Sequence, residues 1–285
     1  MISFGFFSPN TYNDQQSMSR YLRTLSIMVS TLFFAIFLLV NVSSCLCFVP
    51  IRNNTSKESF APALATWYGD ETGAGSGGAC GWGDNVQDPP LSAMISAGNA
   101  NIFLNGKGCG HCYQIVCNTP PYCSGKPITV TISDECPGAC NDVPFHFDLS
   151  GTAFGAMANP GHDHDLRNLG QVMVQYKRVP CNYGGTKIAF NVDKSCNQYW
   201  FAVALEYADG DGGFRSVDIA ANGGTKFVPM DNLWGALWKV DIDQSFKGPY
   251  SFRLTSEDGK TIVAKNVIPH DFTDGQKYTS QVNFS

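Results

Sequence analysis

Two aspartates, Asp134 and Asp148, close or interrupt two strand-like runs, and their placement is the strongest chemical signal in the chain. In residues 128–134, ITVTISD, apolar side chains fall on every second position, the period of a half-buried strand, and Asp134 ends the apolar face. In Phe145-His146-Phe147-Asp148-Leu149 the three apolar residues share one face while His146 and Asp148 share the other. Asp148 therefore looks away from the core. The link between the runs, residues 135–144, is full of turn formers, which predicts a folded-back pair of strands carrying the two carboxylates close together. Neighbouring carboxylates are the minimum apparatus for work on a glycosidic bond, one protonated as acid and one ionised as base. The competing reading makes Asp134 a turn-closing side chain at a strand end.

The elements that must carry these residues read as two all-β domains behind a leader. Arg20 and Arg23 precede an apolar run from Leu25 to Val42, the order of a secretory signal, so residues 1–47 are read as a signal peptide. Cleavage leaves no stable membrane association. Residues 48–61 are read as a flexible segment holding two overlapping glycosylation sequons in Asn53-Asn54-Thr55-Ser56. A first domain over 62–182 shows short strands, glycine-rich loops and brief helical pieces at 152–158 and 165–169, a pattern suited to a closed barrel. After Val179-Pro180-Cys181-Asn182-Tyr183-Gly184-Gly185 the pattern changes to alternating runs at 186–192, 199–207, 214–219, 237–242, 250–255, 261–266 and 279–284. Glycine and aspartate turns separate them, which argues for a β-sandwich of immunoglobulin-like size over 183–285.

Of the 11 cysteines, nine lie beyond the leader and seven of those fall between Cys80 and Cys140, the density of a disulfide framework in an oxidising compartment. Nine is odd, so one thiol is left over, and Cys196 is the expected orphan. Cys109-Gly110-His111-Cys112 reads as part of that framework rather than a redox pair or half a zinc site, because no second pair follows at finger spacing. His162-Asp163-His164-Asp165 follows Asn-Pro-Gly and reads as a solvated loop. No metal and no cofactor are expected. The net charge of −5, made more negative when the leader's two arginines go, excludes nucleic acid as a partner.

In the second domain Trp238 alternates in phase with Val240 and Ile242 and belongs to the core, whereas Trp234 precedes that strand without a periodic reason for burial. Trp200 sits in Tyr199-Trp200-Phe201-Ala202-Val203-Ala204-Leu205, with large residues on both faces. Exposed aromatic faces on a sandwich are surfaces on which sugar rings stack.

Several stretches together resemble the expansins, and most closely the β-expansins, the group that includes the grass-pollen group-1 allergens. They include Ala65-Thr66-Trp67-Tyr68-Gly69, Gly77-Gly78-Ala79-Cys80-Gly81, Gly108-Cys109-Gly110-His111-Cys112, Ser133-Asp134-Glu135-Cys136, His146-Phe147-Asp148-Leu149-Ser150-Gly151 and Leu233-Trp234-Gly235-Ala236-Leu237-Trp238. The resemblance runs in one order from Ala65 almost to the C-terminus. It implies a double-psi β-barrel similar to that of family-45 endoglucanases, followed by an immunoglobulin-like β-sandwich that binds plant cell-wall polysaccharide such as cellulose, xylan or other matrix glucans. It implies the pairs Cys80–Cys109, Cys112–Cys181 and Cys117–Cys123, to which proximity adds Cys136–Cys140. Carried over residue by residue, Asp148 matches the endoglucanase acid, Asp134 a supporting acid, and Thr66 and Tyr68 polar residues lining a groove, with His146 beside the acid. Trp67, Trp200 and Trp234 match an open aromatic surface across both domains, Trp200 standing where a tyrosine is expected.

Members of the family loosen plant walls without detectable hydrolysis, so the resemblance implies a secreted, nonhydrolytic cell-wall protein. Two departures bear on that. The short loop at 71–77 lacks the acidic residue that some β-expansins carry just before the Gly-Gly-Ala-Cys motif, and Asp70 follows Tyr68-Gly69 at the spacing where the endoglucanases place their base. A weak endoglucanase built on Asp148 and Asp70, and a binding protein without loosening activity, are the alternative readings.

Overall fold

The computed structural model describes residues 59–75 and 78–285. The signal segment at 1–47, the sequons at Asn53 and Asn54, most of the 48–61 segment and the end of the 71–77 loop lie outside the described residues. Among the described residues no helix is long and apolar enough to cross a membrane.

The first six strands close into a barrel. They are β1 (Ala61–Tyr68), β2 (Ile95–Gly98), β3 (Cys112–Cys117), β4 (Ile128–Glu135), β5 (His146–Ser150) and β6 (Gln171–Val179), arranged around the barrel in the order β1-β5-β2-β4-β3-β6. Two neighbouring pairs are parallel, β1 with β5 and β2 with β4, and β6 closes the barrel antiparallel to both β1 and β3. In β4 and β5 Ile132, Phe147 and Leu149 are fully buried, with Ala65, Ile115 and Phe154, in one apolar core, and the polar Thr131, Ser133, His146 and Ser150 on the opposite faces are buried as well, so the half-exposed alternation expected of these strands is not seen. Burying side chains of this size contributes roughly 1.5–3 kcal/mol each.

The expected fold-back of β4 onto β5 does not occur. The four-residue β2, which has too few residues to announce itself by periodicity, lies between them, and Ala97 of β2 is opposite both Asp134 and Asp148. The residues between β4 and β5 instead form a 3₁₀ turn at Gly138–Asp142, pinned by Asn99, whose buried Nδ2 donates to the carbonyls of Cys140, Val143 and Pro144.

Three short helices decorate the barrel: α1 (Ala100–Phe103), α2 (Gly151–Ala156) and α3 (Asp163–Asn168). Helix α2 begins directly after β5 because Ser150 Oγ accepts from the Ala153 amide, 2.9 Å away, satisfying one donor of the first turn. Helix α3 starts two residues earlier than the sequence suggested, and so takes Asp163 and His164 out of the expected loop. Asp163 then bonds Arg167 one turn on, at 2.8 Å.

The remaining strands build the sandwich: β7 (Ala189–Val192), β8 (Trp200–Glu206), β9 (Phe214–Ala220), β10 (Val228–Pro229), β11 (Asp231–Trp234), β12 (Leu237–Asp241), β13 (Tyr250–Ser256), β14 (Thr261–Ile268) and β15 (Lys277–Thr279). One sheet has the order β11-β12-β8-β7-β15 and the other β10-β9-β13-β14. Phe190, Phe201 and Phe252 fill the space between them, with Trp238 in the same core. The last strand ends at Thr279, short of the run to 284 read from the sequence. Beyond it Asn283 takes over the ladder's task, its Nδ2 donating to the Thr186 and Tyr207 carbonyls.

Barrel and sandwich share an apolar seam. Ala189, Ala202, Ala204 and Leu237, on the sheet face turned to the barrel, and Ala236 in the turn before β12 belong to the barrel's core cluster. Polar links fasten its edges. Trp82 Nε1 donates to the Leu205 carbonyl at 2.9 Å, Cys181 and Gly210 exchange backbone hydrogen bonds, and Glu257 is held by both His111 and Arg178 of the barrel.

Candidate functional site

Register places the barrel's chemical residues on one face. Thr66 of β1 lies opposite Asp148 of the parallel β5, Leu64 opposite His146 and Tyr68 opposite Ser150, so Thr66, Tyr68, His146 and Asp148 project from the same side. The Thr66 hydroxyl donates to Asp148 Oδ1 at 2.5 Å and stands 2.8 Å from His146 Nε2. A hydroxyl has one proton to give. While Asp148 is ionised that proton goes to the carboxylate, and His146 must donate from Nε2 to Thr66. When Asp148 is protonated, reversal of the Thr66 hydroxyl and a proton on His146 Nδ1 satisfy the same three groups.

Burial sets the electrostatics of this trio. It pushes the Asp148 carboxyl above the ordinary aspartate range, an effect that the Thr66 hydrogen bond and His146 oppose and Asp134 reinforces. It also lowers His146, which is 6% exposed and therefore favours the neutral imidazole. Tyr68 is raised by burial first and by the Asp134 and Asp148 carboxylates next, so its phenol stays protonated. The wall of the site on the far side of Asp148 is the Cys136 sulfur, 3.8 Å from Oδ2.

Asp134 is brought to the site and given a backbone task there. Its Oδ1 accepts from the amides of Ala79 at 2.6 Å and Glu135 at 2.8 Å. The turn-closing reading of this residue is thus part of the answer, but the turn it closes is in a distant segment. By holding Ala79 it fixes the loop at 78–83, and that loop carries the surface from the acid to the sandwich. Cys80 accepts from the Ala236 amide through its carbonyl at 3.1 Å, and a side chain at Gly235, where φ is +53°, would strike Ala79 O and Cys80. These glycine contacts were not singled out in the sequence, although Gly78-Ala79-Cys80-Gly81 and Trp234-Gly235 are the signals that would have exposed them.

The three candidate aromatics are placed differently from one another. Trp234, at the end of β11, is 45% exposed and lies beside the 78–83 loop, its ring reaching Gly81. Trp200 of β8 faces the same way as Ala202 and Ala204 but is half-buried, packed against the barrel's cluster. Trp67 alternates out of phase with Thr66 and Tyr68, is half-buried, and donates from Nε1 to the Arg167 carbonyl at 3.0 Å. Asp70 is exposed in the turn after β1, where its carbonyl accepts from Gly73.

Among the described residues four disulfides occur, Cys80–Cys109, Cys112–Cys181, Cys117–Cys123 and Cys136–Cys140, and Cys196 is a free thiol. Burial raises the Cys196 thiol to about 11, so it is not a reactive thiolate.

Comparison with known proteins agrees with this architecture in both halves. Residues 188–269 match the profile described as the expansin C-terminal domain, and residues 95–176 a double-psi barrel profile described as lytic transglycolase. Expansin-B4 of Arabidopsis thaliana is 48% identical over 88% of this chain and 98% of its own. Expansin-B1 of Zea mays is 45% identical over 78% of this chain and 83% of its own. Among solved structures, the Clavibacter michiganensis expansin superposes with a TM-score of 0.60 at 20% identity, over 80% of this chain and 98% of that one. A variant of that protein, in complex with cellohexaose, gives 0.61 with the same coverage. At that identity the likeness speaks for the fold alone. The curated relatives carry the family, and the chain belongs to the expansin-B family.

Proposed function

We propose that the protein is secreted to the plant cell wall, binds wall polysaccharide through the sandwich face at Trp234 and Trp200, and loosens polymer contacts through Asp148 without cutting a bond. The binding half of this reading is supported by family membership and by the cellohexaose complex of the bacterial expansin. The nonhydrolytic half rests on the asymmetry of the acids. Asp148 is raised, partly buried and held by Thr66 and His146, the dress of a proton donor, whereas Asp134 spends an oxygen on two backbone amides. Inverting hydrolysis needs a second carboxylate roughly 6.5–9.5 Å away with a water between them. Asp70, the residue that could supply it, sits exposed in a turn.

A protonated Asp148 donates a hydrogen bond to a glycan oxygen and competes with the bonds that hold one polymer to another. Loosening is therefore expected to rise as pH falls into the acidic range of the wall. Extension of heat-killed wall strips, with reducing ends assayed on the same samples, tests the reading: extension without new ends supports it, and extension that tracks new ends assigns the activity to hydrolysis.

A further inference from the structure

The two oxygens of Asp148 have unlike surroundings. Thr66 donates to Oδ1, whereas among the described residues Oδ2 meets no hydrogen-bond donor, and its neighbour is the Cys136 sulfur at 3.8 Å. A thiol at that distance would donate a weak hydrogen bond, but Cys136 is bridged to Cys140, and a disulfide sulfur carries no hydrogen. The other polar groups that face the acid are Thr66 and Tyr68 of β1, Asp134 of β4 and His146 of β5. Strand β2, which also packs against Asp148, contributes Ser96, Ala97 and Gly98, none of which titrates.

Of the four bridges, this one does least for the fold. Its sequence separation is 4, against 29, 69 and 6 for the others, and the stabilisation gained by constraining the unfolded chain falls as the loop shortens. The backbone on both sides of it is held by other means. The Cys136 amide donates to the Gly98 carbonyl at 2.9 Å, Asn99 Nδ2 donates to the Cys140, Val143 and Pro144 carbonyls, and Asn141 Oδ1 accepts from the Ala100 amide at 2.9 Å. Three consecutive residues, Gly98 to Ala100, thus grip the turn without the disulfide. A bridge that adds little to the fold and touches the acid is placed to act on the acid.

We propose that Cys136 is a positioning residue that acts through Asp148. Tied to Cys140, it presents Oδ2 with a wall that has no hydrogen to give and keeps the carboxyl a proton donor; with the bridge open, its thiol donates to Oδ2 and holds the carboxylate ionised. That thiol stays protonated at acidic pH, since a free cysteine loses its proton at about pH 8.5 and a neighbouring carboxylate opposes a second negative charge. The proposal rests on the reading of Asp148 as the acid of the site and adds the group that sets its acidity.

The carboxyl carbon of Asp148, identified by its absence from Asp148→Asn, is titrated by carbon-detected NMR in the full secreted chain. The same titration is run on Cys140→Ala, which frees the Cys136 thiol, and on Cys136→Ala/Cys140→Ala, which removes bridge and donor together. In Cys140→Ala the midpoint is expected to fall by about one pH unit, a tenfold change in the ionisation constant, and in the double variant to stay at the wild-type value. Equal midpoints in wild type and Cys140→Ala overturn the proposal. Equal falls in the two variants also overturn it, because they make loss of the bridge, not the thiol, the cause. Unfolding of the double variant, seen as a lost circular dichroism signal, does so too, since the turn would then depend on the bridge. Creep of heat-killed wall strips is expected to follow the midpoint, its acid activation moving to lower pH by the same amount in Cys140→Ala. A midpoint that moves while the creep profile stays in place supports the role of Cys136 and counts against Asp148 as the loosening acid.

Discussion

Barrel and sandwich are of similar size and both all-β, yet they are held together by opposite means. All four disulfides lie in the barrel or tie its end at Cys181, and the sandwich's one cysteine beyond that, Cys196, is unpaired. The sandwich instead packs Phe190 on Phe252 and Phe201 on Tyr250, with ring centroids 4.5 and 4.8 Å apart. The difference follows from what each half carries. The barrel keeps Asp148, His146, Thr66 and Tyr68 partly or wholly out of water, at a cost in burial of polar groups, and covalent links offset that cost. The sandwich keeps its aromatic surface on the outside and leaves its interior to the hydrophobic effect.

The largest effect by which to break this comparison is reduction. Each barrel disulfide contributes about 2–4 kcal/mol, so reductant is expected to expose the barrel to proteolysis while the sandwich, residues 183–285, survives as a fragment. Cleavage beginning in the sandwich contradicts the division. Next in size is Phe252→Ala, which leaves a cavity between the sheets and is expected to cost about 3–5 kcal/mol in thermal unfolding under both reducing and oxidising conditions.

The aromatic surface sharpens the comparison further. Trp234→Ala removes an exposed face and is expected to weaken polysaccharide binding by about 0.5–1.5 kcal/mol with the melting temperature unchanged. Trp200→Ala is expected to lower both, because its ring packs on the barrel's core cluster. Equal melting temperatures for the two variants contradict the half-buried placement of Trp200.

The smallest effect is electrostatic. Asp148 has a folded pKa above its unfolded value, so its ionised form destabilises the barrel at neutral pH, and that penalty is relieved as pH falls through the raised pKa. Asp148→Asn is therefore expected to raise the melting temperature more at pH 7 than at pH 4. The reverse ordering shows that the carboxylate, through Thr66, is stabilising.

What the sequence made legible follows the range of the interactions involved. The strands bearing Asp134 and Asp148 are visible because a period of two is a local signal, and the orphan Cys196 follows from counting. The way those strands meet is not local. β2 carries only Ile95-Ser96-Ala97-Gly98, too short for a period, yet it separates β4 from β5 and aligns the two acids through Ala97. The backbone task of Asp134 was equally hidden, since the Ala79 amide that donates to it is 55 residues away. Strand β11 escaped notice because Asp231-Asn232-Leu233-Trp234 is exposed throughout and has no buried face to alternate. The placement of Trp67 against Arg167 depends on α3, a contact spanning 100 residues.

The central claim, that Asp148 acts as a proton-donating group without a paired base, is tested most directly by creep of heat-killed wall strips with reducing ends counted on the same samples. Wild type, Asp148→Asn and Asp70→Asn are compared at acidic pH. Extension without new reducing ends, lost in Asp148→Asn and retained in Asp70→Asn, is the predicted result. New ends that disappear with either substitution would contradict it and make Asp70 the base of an endoglucanase.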